Sequence, residues 1–441
     1  MNWWDGSANT AWVNSTSAIA QIGNSTPVSN PTITITEDIV LRELRFLAVT
    51  TGSILSGQQY ILNGGTAGRV LNFGSNGLIT MDERSSGGSQ FVNLTSNLRL
   101  VGENLRIQKY GTGTTFQYLT LGMSSNPNLT GTLTIAGSIY ATITAPGTIS
   151  SLDRLVVEAG GSAPLGTAGA NYTTPFSLAG FGNGLAFSGT SYGAIRFTSN
   201  NTIISGGILL TDDAGVHTNF SGANATTGIL INSAITDNGA KHDFHRFAFT
   251  RGNGTLTLAA ANTYGGATVL GRALASYSGG ITILDFTAAT SPQDDILYNG
   301  LTTPGDLNII GGNSVSVLRL VGKSGQTHSQ RLGNVTVSGT HSALELQSGE
   351  GGAMNLSLGA LSHTDLASTL AVTGPASGSI TTTQADGFLG PWLTYTSPDY
   401  RRSWAKVAGG ALANGFAGDT TYATGTSLNA APYLPASHLT V

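Results

Sequence analysis

Short runs in which apolar and polar residues alternate recur along the whole chain, and most of them end at Gly, Asn or Ser. This period of two, with many β-branched residues, is typical of strands that have one buried face and one solvated face. No stretch of ten or more residues combines apolar positions at helical spacing with good capping residues. The sequence therefore predicts an all-β protein. The clearest runs are residues 32–36, 129–135, 254–258, 280–286, 315–320 and 334–337.

A solenoid accounts for so many short strands better than a row of β-sandwiches does. Separate sandwiches need linkers, but the 13 prolines are scattered and no charge-rich segment divides the chain. Glycine pairs such as Gly64-Gly65 and Gly265-Gly266 suit corners that require a positive φ. We therefore predict a single elongated domain in which coils of roughly 20–25 residues stack their strands in parallel.

Composition excludes several classes of function. The 441 residues include no cysteine, so disulfides, thiolate metal sites and cysteine nucleophiles are ruled out. Charged residues make up 10% of the chain, and 19 Lys and Arg against 23 Asp and Glu form no basic stripe, so we expect no nucleic-acid partner. No apolar run is long enough for a membrane helix, so we expect no membrane insertion by this segment.

Residues 252–271 carry a more specific pattern. Gly252-Asn-Gly-Thr-Leu-Thr-Leu258 precedes Ala261-Asn-Thr-Tyr-Gly-Gly-Ala-Thr-Val269, and this order resembles the autotransporter-associated β-strand repeat. The opening residues 4–12 and the later residues 387–395 also resemble units of large bacterial extracellular repeat proteins.

The resemblance implies a right-handed parallel β-helix of the passenger type, located extracellularly or on the surface of a Gram-negative-like bacterium. It leaves open whether the chain is one module of a longer protein or a subunit that travels alone. We divide it into a Trp-rich cap or assembly segment at 1–30, a parallel β-helix at 31–385, and a C-terminal cap or junction at 386–441.

All five tryptophans lie near the two ends of the chain. They are Trp3, Trp4, Trp12, Trp392 and Trp404. Terminal indoles can cover the open strand edges of a solenoid, or they can form contacts between copies, where tryptophan is enriched. Both interpretations remain open. We predict that these residues are assembly contacts through which copies join end to end.

Candidate chemistry is sparse. His242 and His245 flank an acid within residues 241–246, but residues three apart on a strand point to opposite faces, so we predict no metal site from them. The pairs Asp212-Asp213 and Asp294-Asp295 have no partner in sequence and are expected to be turn acids. We predict no cofactor and no catalytic residue. Residues 82–92, 158–175 and 211–227 are least like regular coils, and ligand contacts are expected there first.

The sequence as a whole predicts a non-enzymatic extracellular β-helix that serves as a stalk, adhesive fibre or matrix element, with copies joined head to tail. One alternative is a filament subunit that polymerises by strand exchange or end stacking. Another is a β-helix that binds or cleaves carbohydrate. A surface glycan or a cell-surface ligand is a possible partner under the first hypothesis, and fold alone does not choose among the three.

Overall fold

A computed structural model describes residues 2–4, 9–23, 31–47, 59–83, 89–111, 115–182, 193–218, 228–249, 254–272, 277–312, 315–399 and 401–415. About 52% of the chain is in strands, and the described residues include one short 3₁₀ helix at Pro146–Thr148. None of the helices in these ranges has the length and apolar character that crossing a membrane requires. The prediction of an all-β protein is confirmed.

The strands are short and are numbered in chain order. Those up to residue 143 are β1 (Asn2–Trp4), β2 (Asn9–Ala11), β3 (Ile19–Ile22), β4 (Thr32–Thr34), β5 (Ile39–Val40), β6 (Glu43–Phe46), β7 (Gln59–Asn63), β8 (Arg69–Ser75), β9 (Leu78–Asp82), β10 (Phe91–Leu94), β11 (Leu98–Tyr110), β12 (Gln117–Leu121), β13 (Leu129–Ile135) and β14 (Ile139–Ile143). Those from 154 to 285 are β15 (Arg154–Val157), β16 (Ala163–Leu165), β17 (Asn171–Tyr172), β18 (Phe176–Gly180), β19 (Ile195–Phe197), β20 (Ile203–Ile204), β21 (Ile208–Thr218), β22 (Ile229–Ile231), β23 (Ile235–Thr236), β24 (Phe244–Phe249), β25 (Thr255–Leu258), β26 (Thr268–Leu270), β27 (Tyr277–Ser278) and β28 (Ile281–Asp285).

The remaining strands belong to the C-terminal third. They are β29 (Leu307–Ile310), β30 (Ser316–Val321), β31 (Thr327–Arg331), β32 (Val335–Ser338), β33 (His341–Gln347), β34 (Ala353–Leu358), β35 (Leu361–His363), β36 (Thr369–Thr373), β37 (Gly378–Thr382), β38 (Gly387–Phe388), β39 (Leu393–Thr396), β40 (Arg402–Ala408) and β41 (Ala411–Asn414).

Parallel pairing links strands that are one coil apart. One ladder runs through β3, β6, β9, β11, β13, β15, β18, β21 and β23. A second runs from β4 through β7, β10, β12, β14, β16, β19, β21, β24, β26, β29 and β32 to β35. A third runs through β17, β20, β22, β25, β28, β30, β33, β36 and β39. The chain is therefore a parallel β-helix.

Alternation explains both the strands and the core. In β13 the side chains of Leu129, Leu133 and Ile135 are buried, and the threonines between them face outward. Because each strand inserts every second side chain into the interior, the Leu, Ile, Val and Phe side chains form one continuous hydrophobic cluster. This burial of alternate apolar side chains fixes the register in which each coil pairs with the next.

The coils are less regular than the sequence predicts. Ile195 pairs with Val216, which lies 21 residues later in the chain. Thr268 pairs with Leu307, which lies 39 residues later. The expected coil length of roughly 20–25 residues is therefore too short for much of the chain. The pairing registers fix only the strands, so turns of different length fit between the same ladders.

The two ends of the ladder differ from the predicted boundaries at 31 and 385. Strand β3 already pairs in parallel with β6, and β39 still pairs in parallel with β36. The reason is alternation, since β3 and β39 each bury every second side chain like the strands between them. Beyond β39 the pairing becomes antiparallel, from β39 to β40 and from β40 to β41.

Candidate functional site

The Asp212-Asp213 pair and the turn that carries His242 are a whole coil apart in the sequence. In the structure they lie side by side. The parallel pairing of β21 with β24 aligns Ala214 with Phe244, so the residues just before them also face each other across the coils. The ligand atoms of Asp212, Asp213 and His242 all lie within 4.8 Å of one another. The sequence alone does not relate these residues to one another, because it does not give the register between coils.

Hydrogen bonds hold this Asp212–Asp213–His242 cluster in place. An oxygen of Asp213, Oδ1, accepts a hydrogen bond of 2.8 Å from the backbone N–H of Asp243 and lies 4.0 Å from Nδ1 of His242. Asp212 accepts a 2.8 Å bond from the N–H of Asp213. A separation of 4.0 Å is too long for a direct hydrogen bond between imidazole and carboxylate. The three side chains therefore face one another without being bonded together.

The turn that carries His242 is anchored by a second acid. Asp237 accepts hydrogen bonds from the N–H groups of Gly239, His242 and Gly265, at 2.8, 3.1 and 2.8 Å. Lys241 has a φ of 60°, in the left-handed region that side chains rarely adopt. Asp237 thus stabilises an unfavourable backbone conformation directly before His242.

Close packing on the next coil makes Gly266 necessary. A Cβ atom at this position would lie 2.3 Å from the carbonyl of His242 and 2.6 Å from Oδ1 of Asp243. The expectation of a positive φ at the Gly265-Gly266 pair is wrong, because neither residue has one. The glycine is needed for space rather than for backbone freedom.

Asp243 and His245 extend the cluster inward. Burial raises the pKa of Asp243; the N–H of Ala267, 2.6 Å from Oδ1, opposes this shift, and the carboxylates of Asp213 and Asp306 add to it. The imidazole Nε2 of His245 lies 4.0 Å from Oδ2 of Asp243. Burial lowers the pKa of His245 to about 4. This histidine is therefore neutral near pH 7.

A buried cation lies on the same strand. Arg246 is fully buried in the interior, where Nη2 donates to Oγ1 of Thr218 at 3.0 Å and to the carbonyl of Gly254. Burial lowers the pKa of its guanidinium to about 9. His217, on the neighbouring strand β21, is also buried and stacks on Phe247 with ring centroids 5.4 Å apart. Burial, followed by the charges of Arg196 and Arg246, lowers the pKa of His217 well below its usual value.

Asp294 and Asp295, the second acid pair, both bond to residues of a later coil. Asp294 accepts from the backbone N–H and the hydroxyl of Ser329, at 2.7 and 2.6 Å. Asp295 accepts from the backbone N–H of Arg331 and pairs with its guanidinium, both at 2.7 Å. This pair therefore joins two coils.

The repeat-like segment also supports the fold. The buried amide of Asn262 accepts from the N–H of Ile235 at 2.9 Å and donates to the carbonyls of Ala260 and Ile296, each at 3.0 Å. The hydroxyl of Tyr264 lies 2.6 Å from Oγ1 of Thr268, which lies 2.7 Å from the hydroxyl of Tyr298. The Ala-Asn-Thr-Tyr pattern thus supplies buried hydrogen bonds between coils.

The predicted assembly tryptophans have different environments. Trp12 is half-buried against the core and donates to Oδ1 of Asn14 at 3.0 Å. Trp392 also packs against the core and stacks on His363, with ring centroids 4.8 Å apart. Trp404, on β40, is 52% exposed. Trp3 and Trp4 belong to β1, and their side chains lie outside the described part of the structure.

A segment of 135 residues, which is 31% of the chain, is 33% identical to the adhesin BmaC autotransporter of Brucella suis biovar 1 (strain 1330). The chain is similar to part of a bacterial autotransporter adhesin. The match spans 4% of the length of that protein. No protein-family description and no solved structure matches the chain. The similarity supports the predicted resemblance to an autotransporter passenger, while membership of the β-strand repeat family stays a prediction.

Proposed function

We propose that the chain is a surface-exposed β-helix of the autotransporter passenger type, which acts as an adhesive stalk or matrix element of a Gram-negative bacterium. The observation that carries the proposal is the combination of a parallel ladder from β3 to β39 with the similarity to an adhesin. Right-handed coiling and the absence of enzymatic activity are parts of this proposal.

The outer face favours a structural role. Some charged residues that face outward are paired across coils, as in Arg106 with Glu158 at 2.6 Å and Arg319 with Glu345 at 2.7 Å. Like charges on successive coils would lie about 4.8 Å apart and repel one another, so a low charge content and opposite-charge pairs both suit a long stack.

The carbohydrate alternative has less support. Phe91 and Tyr118 stack with ring centroids 4.7 Å apart, and Tyr118 lies 5.2 Å from Tyr140, so these rings form a partly exposed aromatic column along three coils. Because Phe91 and Tyr118 are stacked and cover one another's faces, this pair offers mainly ring edges to a ligand, and Tyr140 is tilted by 53° from Tyr118. It stabilises neighbouring coils, and a flat platform for sugar rings is not its main feature.

Head-to-tail joining is a second proposal, favoured by the contrast between the ends. Strands β3 and β4 pair only with the coil that follows them among the described residues, whereas β40 and β41 cover the other end in antiparallel fashion. An open strand edge is a template for another chain. Exposed Trp404 and Phe388 lie on the C-terminal strands.

Surface display tests the first proposal. The chain would be displayed on a Gram-negative host, and adhesion of the cells to host cells and to abiotic surfaces would be compared with that of cells displaying an unrelated β-helix. We expect the chain to be labelled by antibody on intact cells and to increase adhesion. Equal adhesion by both strains would contradict the adhesive role and leave only the structural one.

Electron microscopy of the purified chain at several concentrations tests head-to-tail joining. We expect filaments from the intact chain, and only single rods from a variant that lacks residues 1–12 and from Trp404→Ala. Single rods from the intact chain at every concentration would contradict end-to-end assembly.

A further inference from the structure

We propose that Asp212, Asp213 and His242 together bind one divalent transition-metal ion of the zinc class. Their donor atoms lie within 4.8 Å of one another. Ligand bonds of about 2.0–2.2 Å place the donors of one ion roughly 3–4 Å apart, so small side-chain rotations close this set around an ion. One imidazole and two carboxylates form a mixed nitrogen and oxygen set, which suits zinc and its neighbours, whereas calcium takes oxygen ligands.

The charge distribution gives an independent argument for a cation. Several carboxylates elsewhere are paired with arginine, as in Asp82 with Arg45 at 3.0 Å, Glu345 with Arg319 at 2.7 Å and Asp295 with Arg331 at 2.7 Å, while others, such as Asp237 and Asp294, bond to backbone N–H groups. Among the described residues, no Lys or Arg lies within 4.0 Å of the Asp212 or Asp213 carboxylate, and Nδ1 of His242 lies 4.0 Å from Oδ1 of Asp213. A divalent ion would supply the missing positive charge.

The cluster is also held ready for a ligand. The backbone N–H of His242 donates to the Asp237 carboxylate at 3.1 Å, and the backbone N–H of Asp243 donates to Oδ1 of Asp213 at 2.8 Å. The imidazole of His242 makes no hydrogen bond to another described residue, so its Nδ1, the atom that faces Asp213, is available to a metal. Outer contacts that orient ligands in this way raise metal affinity.

Solvent can reach the proposed site. The side chain of Asp213 is 50% exposed, that of His242 is 24% exposed, and Asp212 is exposed. Three protein ligands leave at least one coordination position to water or to a further ligand. Since Asp212 and Asp213 lie on β21 and His242 lies two residues before β24, the ion would join two consecutive coils.

Calorimetric titration of the full chain with zinc chloride tests the proposal, with Co²⁺ absorption spectra as a second readout. We expect one ion per chain, and a visible Co²⁺ spectrum that zinc abolishes. Asp213→Asn and His242→Gln should each weaken zinc binding about tenfold or more. The matched control is His341→Gln, which changes an exposed histidine on β33 whose Nδ1 lies 2.9 Å from Oγ1 of Thr369.

Circular dichroism without metal separates loss of binding from loss of folding, and Asp212→Asn provides a variant at an exposed position. Three results would overturn the proposal: no zinc binding by the intact chain at 100-fold excess, unchanged binding by folded Asp213→Asn and His242→Gln variants, or a loss equally large in the His341→Gln control. Calcium binding as tight as zinc binding, with no loss in His242→Gln, would overturn the assignment to a transition metal.

Discussion

The interior and the outer face of the β-helix join neighbouring coils by different contacts. Inside, the buried amide of Asn262 bonds to the backbone of adjacent coils, and the hydroxyl of Tyr264 bonds to that of Thr268, which in turn bonds to Tyr298 on the next coil. Outside, ion pairs such as Arg319 with Glu345 and aromatic columns such as Phe91 with Tyr118 span the same distance in contact with water. A buried polar group left without its partner is costly, while an exposed one can bond to water. Stability therefore depends on the interior, and the outer face is free to vary with function.

The largest effect is expected for Asn262→Ala. The substitution removes three buried hydrogen bonds and leaves the N–H of Ile235 and the carbonyl of Ala260 without these partners, while the carbonyl of Ile296 keeps the backbone N–H of residue 262 at 2.9 Å. At about 1–3 kcal/mol for each unsatisfied group, the local free energy of opening should fall by about 3 kcal/mol. Amide hydrogen exchange at Ile235 would measure this loss.

Asn308→Ala is the matched control for this prediction. Asn308 lies half-buried on β29, and its side chain makes no hydrogen bond to another described residue. We expect a change within about 0.5 kcal/mol, as for other surface substitutions. Equal losses at positions 262 and 308 would break the distinction between interior and outer face.

His217 is buried although it lies on the outer side of β21, so it provides a second test of the difference between the interior and the outer face. His217 is buried, and its pKa lies well below 6.5 because of burial and the nearby Arg196 and Arg246 charges. Above pH 6.5 both folded and unfolded forms are neutral. Below it the unfolded chain binds a proton that the folded chain does not, so stability falls as the pH falls, by about 1.4 kcal/mol per pH unit from this group.

The pH dependence of the free energy of unfolding, measured between pH 7 and 5 for the wild type and His217→Phe, checks this effect. Phenylalanine keeps the stacking on Phe247 and removes the titrating group. We expect a shallower slope in the variant, with a residual slope from His245, whose pKa is about 4. Identical slopes would show that His217 is protonated to the same extent in both states.

A smaller effect is expected for Tyr264→Phe. The lost hydroxyl lies 2.6 Å from Oγ1 of Thr268, and one buried hydrogen bond contributes about 1 kcal/mol. Because Tyr298 bonds to the same oxygen, the Tyr264→Phe and Tyr298→Phe losses should not add. A double-mutant cycle by chemical denaturation measures the coupling, and strict additivity would contradict a shared network.

The smallest effect belongs to the outer ion pair. Glu345→Gln removes the charge opposite Arg319, and both side chains are partly exposed. We expect a loss of about 0.5 kcal/mol at low ionic strength, which disappears at high NaCl concentration because salt screens exposed charges. Thermal unfolding at low and high salt checks this. A loss as large as that of Asn262→Ala that persists in salt would show that the outer face contributes as much as the interior.

Much of the fold could be predicted from sequence, because alternation is a local property. Residues 254–258 and 280–286 were predicted as strands and form β25 and β28, and their buried positions follow the pattern. The coil length was underestimated, since a turn leaves no periodic signal. The antiparallel cap at β40 and β41 has the same alternation as the parallel strands, so sequence could not distinguish the two directions.

The candidate site was harder to predict. The sequence indicates Asp212-Asp213 and His242 as separate features, but their proximity depends on the register between β21 and β24. That register depends on the length of one coil, and the coils around it have other lengths. Asp294 and Asp295 illustrate the same limit, because their partners Ser329 and Arg331 lie on a later coil. Nothing in the sequence of either acid pair indicates whether the pair faces a histidine, as Asp212 and Asp213 do, or bonds to a later coil, as Asp294 and Asp295 do.

Unequal coil lengths have a consequence for how this chain can be compared with others. A turn between two ladders can gain or lose residues while every strand keeps its partner, as the pairs Ile195 with Val216 and Thr268 with Leu307 illustrate. Two chains with the same stack of coils would then fall out of alignment after a single insertion. For such chains, relatedness is preserved in the order of paired strands, and residue-by-residue alignment recovers it only over short stretches.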